Sequence, residues 1–198
     1  VTKVTVDWRE ATRHLARVDP TLGAVIERVG PCTLRPGRDC FGALCKAIIS
    51  QQISGPVAIA ISGRFKKLFP RSRPAAGHLL TLSDEQLRSV GLSRQKASYL
   101  RDLARHFAEG KVPVRRFAKM SDEEIIESLI PIKGIGRWTA EMFLIFVLNR
   151  PDLLPVDDLG VRKGFQKVYG LRGEPSAPKM VTLAEKWRPW RTIGAWYM

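Results

Sequence analysis

Cysteine is scarce in this chain, three residues in 198, and its pattern excludes more than its number does. Cys32, Cys40 and Cys45 lie near one end, form no CxxC pair and are odd in number. No disulfide framework, zinc site or iron–sulfur cluster is expected from them. Cys40 and Cys45 read instead as small apolar residues on a packed helix. The three histidines, His14, His78 and His106, are isolated from one another, which again gives no metal set. No apolar run is long enough to span a bilayer, and Val1–Asp7 lacks a signal-peptide core, so no membrane association is expected. Acidic residues are short as well: 19 Asp and Glu stand against 33 Lys and Arg, a formal net charge of +14. That excess favours a polyanionic partner through counterion release; a basic surface kept for solubility accounts for it equally well. The basic residues are spread along the chain and not stacked on one amphipathic segment, which argues against a membrane-surface role.

Strand alternation hardly occurs, whereas helical periodicity recurs throughout, so the expected class is all-α. Asp7 is placed to cap a helix through Val18, and Asp19-Pro20 to start another ending near Gly30. From Asp39 to Ile49 the apolar residues Phe41, Leu44, Cys45, Ile48 and Ile49 form a helical stripe. Ser54-Gly55-Pro56 then opens a helix to Phe69, and Pro70 to Gly77 reads as a loop. Ser83-Asp84-Glu85-Gln86 and Ser121-Asp122-Glu123-Glu124 are both capping-box starts. Each leads through a glycine turn into a further helix, Ser93 to Glu109 and Gly136 to Asn149. A helix from about Asp158 to Tyr169 follows, then two helical pieces broken by Pro189. A chain of this length accommodates one substantial domain or two small lobes sharing a core.

Residues 129–140, Leu-Ile-Pro-Ile-Lys-Gly-Ile-Gly-Arg-Trp-Thr-Ala, read as two helices joined by a tight glycine hairpin. Glycines two apart permit positive φ and close approach of another backbone. The following helix leaves its first amides unpaired at the positive end of its dipole. A phosphate suits that place, with Lys133, Gly134, Gly136, Arg137 and Thr139 as candidate contacts. A plain helix–helix turn with a glycine cap explains a single glycine; two glycines with flanking cations favour phosphate. The pair Asp157-Asp158 then puts a carboxylate at the start of the next helix, where N-capping is the ordinary explanation.

The segment 129–140 resembles the helix–hairpin–helix of the DNA glycosylase superfamily, and its Gly-Ile-Gly-Arg-Trp-Thr-Ala wording is most similar to the 3-methyladenine DNA glycosylase II family. Phe41 to Phe65, with Ile49-Ser50-Gln51-Gln52-Ile53-Ser54, is similar to that family's first helical block. Gly91 to Gly110 is similar to its lysine-containing helix, Leu154 to Val161 to its catalytic aspartate segment, and Trp187-Arg188-Pro189-Trp190-Arg191 to its C-terminal signature. The match covers about residues 38 to 198. It implies two helical lobes with an active-site cleft between them. Residues 38–120 would form one lobe, 121–170 the hairpin and catalytic segment, and 1–37 with 171–198 the other lobe. The β-rich N-terminal lobe of some members is not expected in these residues.

The resemblance also implies chemistry. Breaking an N-glycosidic bond develops oxocarbenium character at the sugar, which an ionised carboxylate stabilises. The catalytic position matches Asp158, leaving Asp157 a structural part. Members that also cut the strand place a lysine nucleophile in the hairpin's second helix; the matching residue is Trp138, which offers no amine. A monofunctional glycosylase that leaves an abasic site is therefore expected. Gln52 matches the intercalating position, flanked by Gln51 and Ile53; on the residues alone, a polar helix terminus explains Gln51-Gln52. Trp138 and Met142 fall where the family lines its pocket, and Trp196 and Tyr197 are candidates for a further pocket aromatic. An electron-rich ring suits the cationic ring of an N-alkylated purine, and Trp8, Trp187 and Trp190 are assigned to the core. Relatives often hold a monovalent cation, here on the carbonyls of Ile130, Ile132 and Gly134; no other cofactor is implied. The expected substrate is double-stranded DNA carrying alkylated purines of the 3-methyladenine and 7-methylguanine type. Oxidised, deaminated or mismatched bases, or damage binding without catalysis, are the alternatives. The protein is expected to be monomeric and to act in the cytoplasm at the nucleoid, or in a nucleus.

Overall fold

The computed structural model describes residues 8–37 and 39–198; Asp7, the expected first cap, lies outside the described residues. Helices α1 (Trp8–Val18) and α2 (Pro20–Val29) meet at Asp19, whose Oδ1 accepts the Leu22 N–H at 3.2 Å. Pro20, at the first position of α2, has no N–H of its own to leave unpaired. Helix α3 (Cys40–Ser50) starts at Asp39, whose Oδ1 accepts the Gly42 N–H at 2.8 Å. Helix α4 (Gly55–Lys67) carries proline in its first turn, makes no side-chain cap at Ser54, and stops short of the expected Phe69. A 3₁₀ turn at Pro70–Ser72 precedes α5 (Ala76–Thr81), which begins inside the stretch expected to be loop. Helices α6 (Asp84–Ser89) and α8 (Asp122–Leu129) each open on the full reciprocal capping box, and α7 (Arg94–Ala108) on Ser93. Helix α9 (Arg137–Phe143) passes into a π-helical turn, Leu144–Leu148. Helices α10 (Leu159–Val168), α11 (Ala177–Ala184) and α12 (Arg191–Tyr197) complete the chain.

The chain divides into two compact units. The first takes in Gly37–Phe143 and holds α3 to α9. Its centre is α7, against which α3 and α5 pack. Phe41, Leu44 and Ile48 on α3, Leu79 on α5 and Leu100 and Leu103 on α7 are buried there, with Phe41 and Phe107 edge to face at 5.0 Å. Cys45 is buried on α3 as expected, and burial pushes its thiol pKa up.

The second unit takes in the described part of Thr2–Pro36 together with Leu144–Met198. The boundary between the units falls between Phe143 and Leu144, within the segment 121–170. Here Leu15, Leu22, Phe165, Met180, Trp187 and Ile193 form the core. At its centre the buried Asp19 carboxylate accepts hydrogen bonds from Trp187 Nε1 at 2.8 Å and from the Tyr169 hydroxyl, and pairs with Lys186 at 3.1 Å. Burial alone would raise this carboxyl's pKa; those donors outweigh it and hold it below the usual range. Trp187 is core as expected, whereas Trp8 and Trp190 are only half-buried. Among the described residues no helix is long and apolar enough to cross a membrane.

Candidate nucleic-acid interface and active site

In the first unit, residues 130–136 join α8 to α9. Gly134 has φ +82, and a Cβ there would stand 2.2 Å from Cδ2 of Tyr99 on α7. Glycine is required at this position twice over, by conformation and by space. Gly136 differs: its φ is not positive, and a Cβ would meet nothing within 4 Å. The freedom it gives is open space for something outside the chain. The N–H groups of Gly134 and Gly136 have no acceptor among the described residues.

Two side chains far away in sequence bond this hairpin, and a third holds the turn beside it. Asp102 on α7 is buried, and its Oδ2 accepts the Lys133 N–H at 2.9 Å. Gln51 Nε2 donates to the Gly134 carbonyl at 2.7 Å. Lys96 Nζ donates to the carbonyls of Ile49 and Gln51, both at 2.7 Å, closing the end of α3; burial lowers its pKa. Gln52 is left exposed at the tip of this turn with φ +55. A non-glycine residue in that region costs about 1–3 kcal/mol and persists where the surroundings impose it. Gln51 and Gln52 therefore separate: Gln51 ties the turn to the hairpin and is not free to enter a duplex, whereas Gln52 points its strain outward. Ile53 is half-buried beside it. Turn and hairpin share a groove of about 430 Å³, lined by Gln51, Gln52, Lys96, Tyr99, Lys133 and Gly136 among others.

On α9 two of the expected phosphate contacts have partners or burial within the protein. Arg137 is exposed, but its Nη1 and Nη2 bond Glu123 at 2.8 and 2.7 Å, and its Nε bonds Glu141 at 3.2 Å. The Glu123 bonds hold the guanidinium pKa above its ordinary value. That fork is spent within the protein. Thr139 is buried with Ala140 and Phe143 on the inner face of the helix, so its hydroxyl is withdrawn from solvent. Lys133 remains exposed. Trp138 is 47% exposed, and Met142, one turn later, is half-buried. The carbonyls expected to hold a cation are already engaged in part: Ile132 accepts the Ile135 N–H at 3.0 Å, and Gly134 accepts Gln51. Each carbonyl oxygen has two lone pairs, so either bond leaves a position at which an ion could be held.

In the second unit, Asp158 caps α10, its Oδ1 accepting the Val161 N–H at 2.9 Å. That bond fixes the direction of the carboxylate. A side chain at position 160 would come within 3.1 Å of the same oxygen, and Gly160 leaves that space clear. Asp157 is exposed and makes no side-chain bond to the described residues, so it has no visible structural part. The loop before it is clamped by α12 and the turn preceding it. Arg188 and Arg191 each bond Asp152 at 2.7 Å. Thr192 Oγ1 donates to the Arg150 carbonyl at 2.6 Å and accepts the Leu153 N–H at 2.9 Å. Tyr197, expected in a pocket, is buried and donates its hydroxyl to the Gly30 carbonyl at 2.8 Å. It is held by the tail of α2; Trp196 beside it is half-buried.

A helical hairpin with open amides and a capped, oriented aspartate define a class, and the comparisons agree on it. Residues 45–189 match the HhH-GPD superfamily base excision DNA repair protein model; the chain belongs to that superfamily. It is 34% identical over 203 residues to DNA-3-methyladenine glycosylase 1 of Schizosaccharomyces pombe, covering 99% of this chain and 88% of that protein. It is 32% identical over 197 residues to the alkylbase DNA glycosidase-like protein mag2 of the same yeast, covering 97% and 92%. The S. pombe 3-methyladenine DNA glycosylase Mag1, solved in complex with abasic DNA, superposes with a TM-score of 0.82 at 35% identity, covering 95% of this chain and 94% of that one.

Lys96, Tyr99, Asp102, Asp152 and Thr192 are the site residues that sequence reasoning missed. Their only advance signal is the placement of α7 and of the C-terminal signature; each acts on residues outside its own element.

Proposed function

We propose that this chain is a monofunctional DNA glycosylase that removes N-alkylated purines from double-stranded DNA and leaves an abasic site. The observation that carries the reading is a capped, oriented carboxylate at the start of α10, in a chain of this superfamily that has an exposed indole where strand-cutting members keep an amine. The hairpin groove would hold the phosphate backbone through the Gly134 and Gly136 amides and Lys133. Gln52 would fill the space of the extruded base, whose removal from the stack costs a few kcal/mol. The Trp138 face would attract the cationic ring of an alkylated purine.

Such a base leaves readily. As the C1′–N bond breaks, its electron pair returns to the ring nitrogen and cancels the positive charge there. Water forms the new C1′–O bond and passes its proton by way of the Asp158 carboxylate to solvent, while Asp158 stabilises the cationic sugar and orients that water. No step requires a metal. The monomeric state, and action at the nucleoid or in a nucleus, belong to the same proposal.

The test is release of free base from methylated duplex DNA. Wild-type protein should release 3-methyladenine or 7-methylguanine and leave the strand intact until alkali is added. No release from any alkylated duplex overturns the reading, and a nick without alkali overturns its monofunctional part. Gly136→Ala gives a second expected result. Nothing within the protein opposes that Cβ, so the fold should hold while affinity falls for damaged and undamaged duplexes alike, since phosphate contacts carry no sequence information. Loss confined to damaged DNA would contradict the hairpin's part.

A further inference from the structure

Helix α7 has a second working face, set apart from the hairpin groove. Arg94, Ser98, Arg101 and Arg105 stand at i, i+4, i+7 and i+11, which places them in one stripe. With α6 they wall a groove of about 490 Å³, whose charged lining is Arg88, Arg94, Arg101 and Arg105 against Asp84 and Glu85. The two acids are already engaged. Asp84 takes Arg101 at 2.7 Å, and Glu85 lies 4.0 Å from Arg88. Arg94 and Arg105 are exposed and have no carboxylate within ion-pair distance among the described residues. Glu109, one turn beyond Arg105, interacts with it at longer range but is bonded by Lys111 at 2.6 Å, so the groove keeps two guanidinium groups outside any close ion pair, one at each end of the stripe.

Their spacing selects the ligand. Eleven residues of helix separate them by ~16 Å, too far for one small anion to bridge and equal to about five base pairs of duplex. The neighbouring face of α7 carries Gln95, Lys96 and Tyr99, which line the hairpin groove. A helix is only about 10 Å thick, so a duplex gripped at the hairpin and passing the first turn of α7 meets Arg94 next.

The geometry points to the arginine stripe of α7 as a second DNA-backbone site, which extends the contact beyond the damaged base. The inference rests on the DNA-binding reading of the hairpin. It is tested with the double variant Arg94→Gln/Arg105→Gln, by fluorescence anisotropy across a range of salt, on a duplex of about 25 base pairs and on one of about 8. On the long duplex the slope of log affinity against log salt should fall by ~1.8, the share of two phosphate contacts. The short duplex should bind as tightly as it does to wild type, and base release from it should be unchanged. An unchanged slope on the long duplex overturns the inference. So does binding of inorganic triphosphate that the double variant loses while the DNA slope stays the same. Gly136→Ala measured alongside reports on the hairpin alone: equal affinity to wild type on both duplexes would sink that reading without touching the slope result.

Discussion

Asp158→Asn should lower single-turnover base release by about 10²–10³-fold, the loss typical when one preorganised electrostatic partner of the transition state is removed. The substitution isolates charge from structure. Asparagine is as good an N-cap as aspartate, so its carbonyl oxygen can take over the Val161 N–H that Oδ1 accepts at 2.9 Å, and the helix start should stand. Thermal stability and affinity for undamaged duplex should match wild type, while release of alkylated base collapses. Asp157→Asn should do nothing comparable, because Asp157 bonds to none of the described residues. Release by Asp158→Asn at the wild-type rate would remove this carboxylate from the mechanism. A fall in melting temperature parallel to the loss of activity would reduce Asp158 to its capping part.

Gly134→Ala should be the most damaging single methyl in the hairpin. It places a Cβ 2.2 Å from the Tyr99 ring at a backbone φ of +82, so a steric and a conformational penalty coincide. Strain of about 1–3 kcal/mol at such a position corresponds to a lowering of the melting temperature by roughly 2–12 °C in a domain of this size. Affinity for duplex DNA should fall as well, since the Gly134 carbonyl is the anchor for Gln51 and so for the Gln52 turn. Tyr99→Ala in the same chain should recover part of the stability and not all of it, as it relieves the clash and leaves φ unchanged. Full recovery would mean that the conformation carries no penalty; no loss at all would mean the hairpin is not built as described. The contrast with Gly136→Ala, which should spare stability and cost affinity, separates a glycine needed by the fold from one needed by the ligand.

Local chemistry was the legible part of this molecule. The capping boxes at Ser83 and Ser121, the starts of α2 and α3 at Asp19 and Asp39, and the aspartate cap of α10 each depend on residues within four positions, and each stands where spacing placed it. Helix α5 was not legible: it is six residues long, has no side-chain cap at Ala75, and follows a stretch rich in proline and arginine. In the site, side-chain type indicated a chemistry without showing whether the side chain was available for it. Arg137 has the right charge for phosphate, yet Glu123, fourteen positions earlier, occupies its fork. Thr139 and Tyr197 have suitable hydroxyls, yet one lies on a buried helix face and the other bonds a carbonyl 167 positions away. In the frame behind the hairpin, Lys96 and Asp102 act on backbone groups, which any residue type can supply, and Tyr99 packs its ring against Gly134. Periodicity locates α7, and only the packed structure shows which of its side chains reach across.

The division of labour between Gln51 and Gln52 has a consequence for how such an enzyme can change. Anchoring belongs to one codon and the exposed tip to its neighbour. The identity of the tip can therefore drift while its address stays fixed. The left-handed backbone at position 52 filters that drift, admitting glycine, asparagine and other unbranched side chains far more readily than valine or isoleucine. A lineage could trade one probing side chain for another in a single step and keep the same grip on DNA.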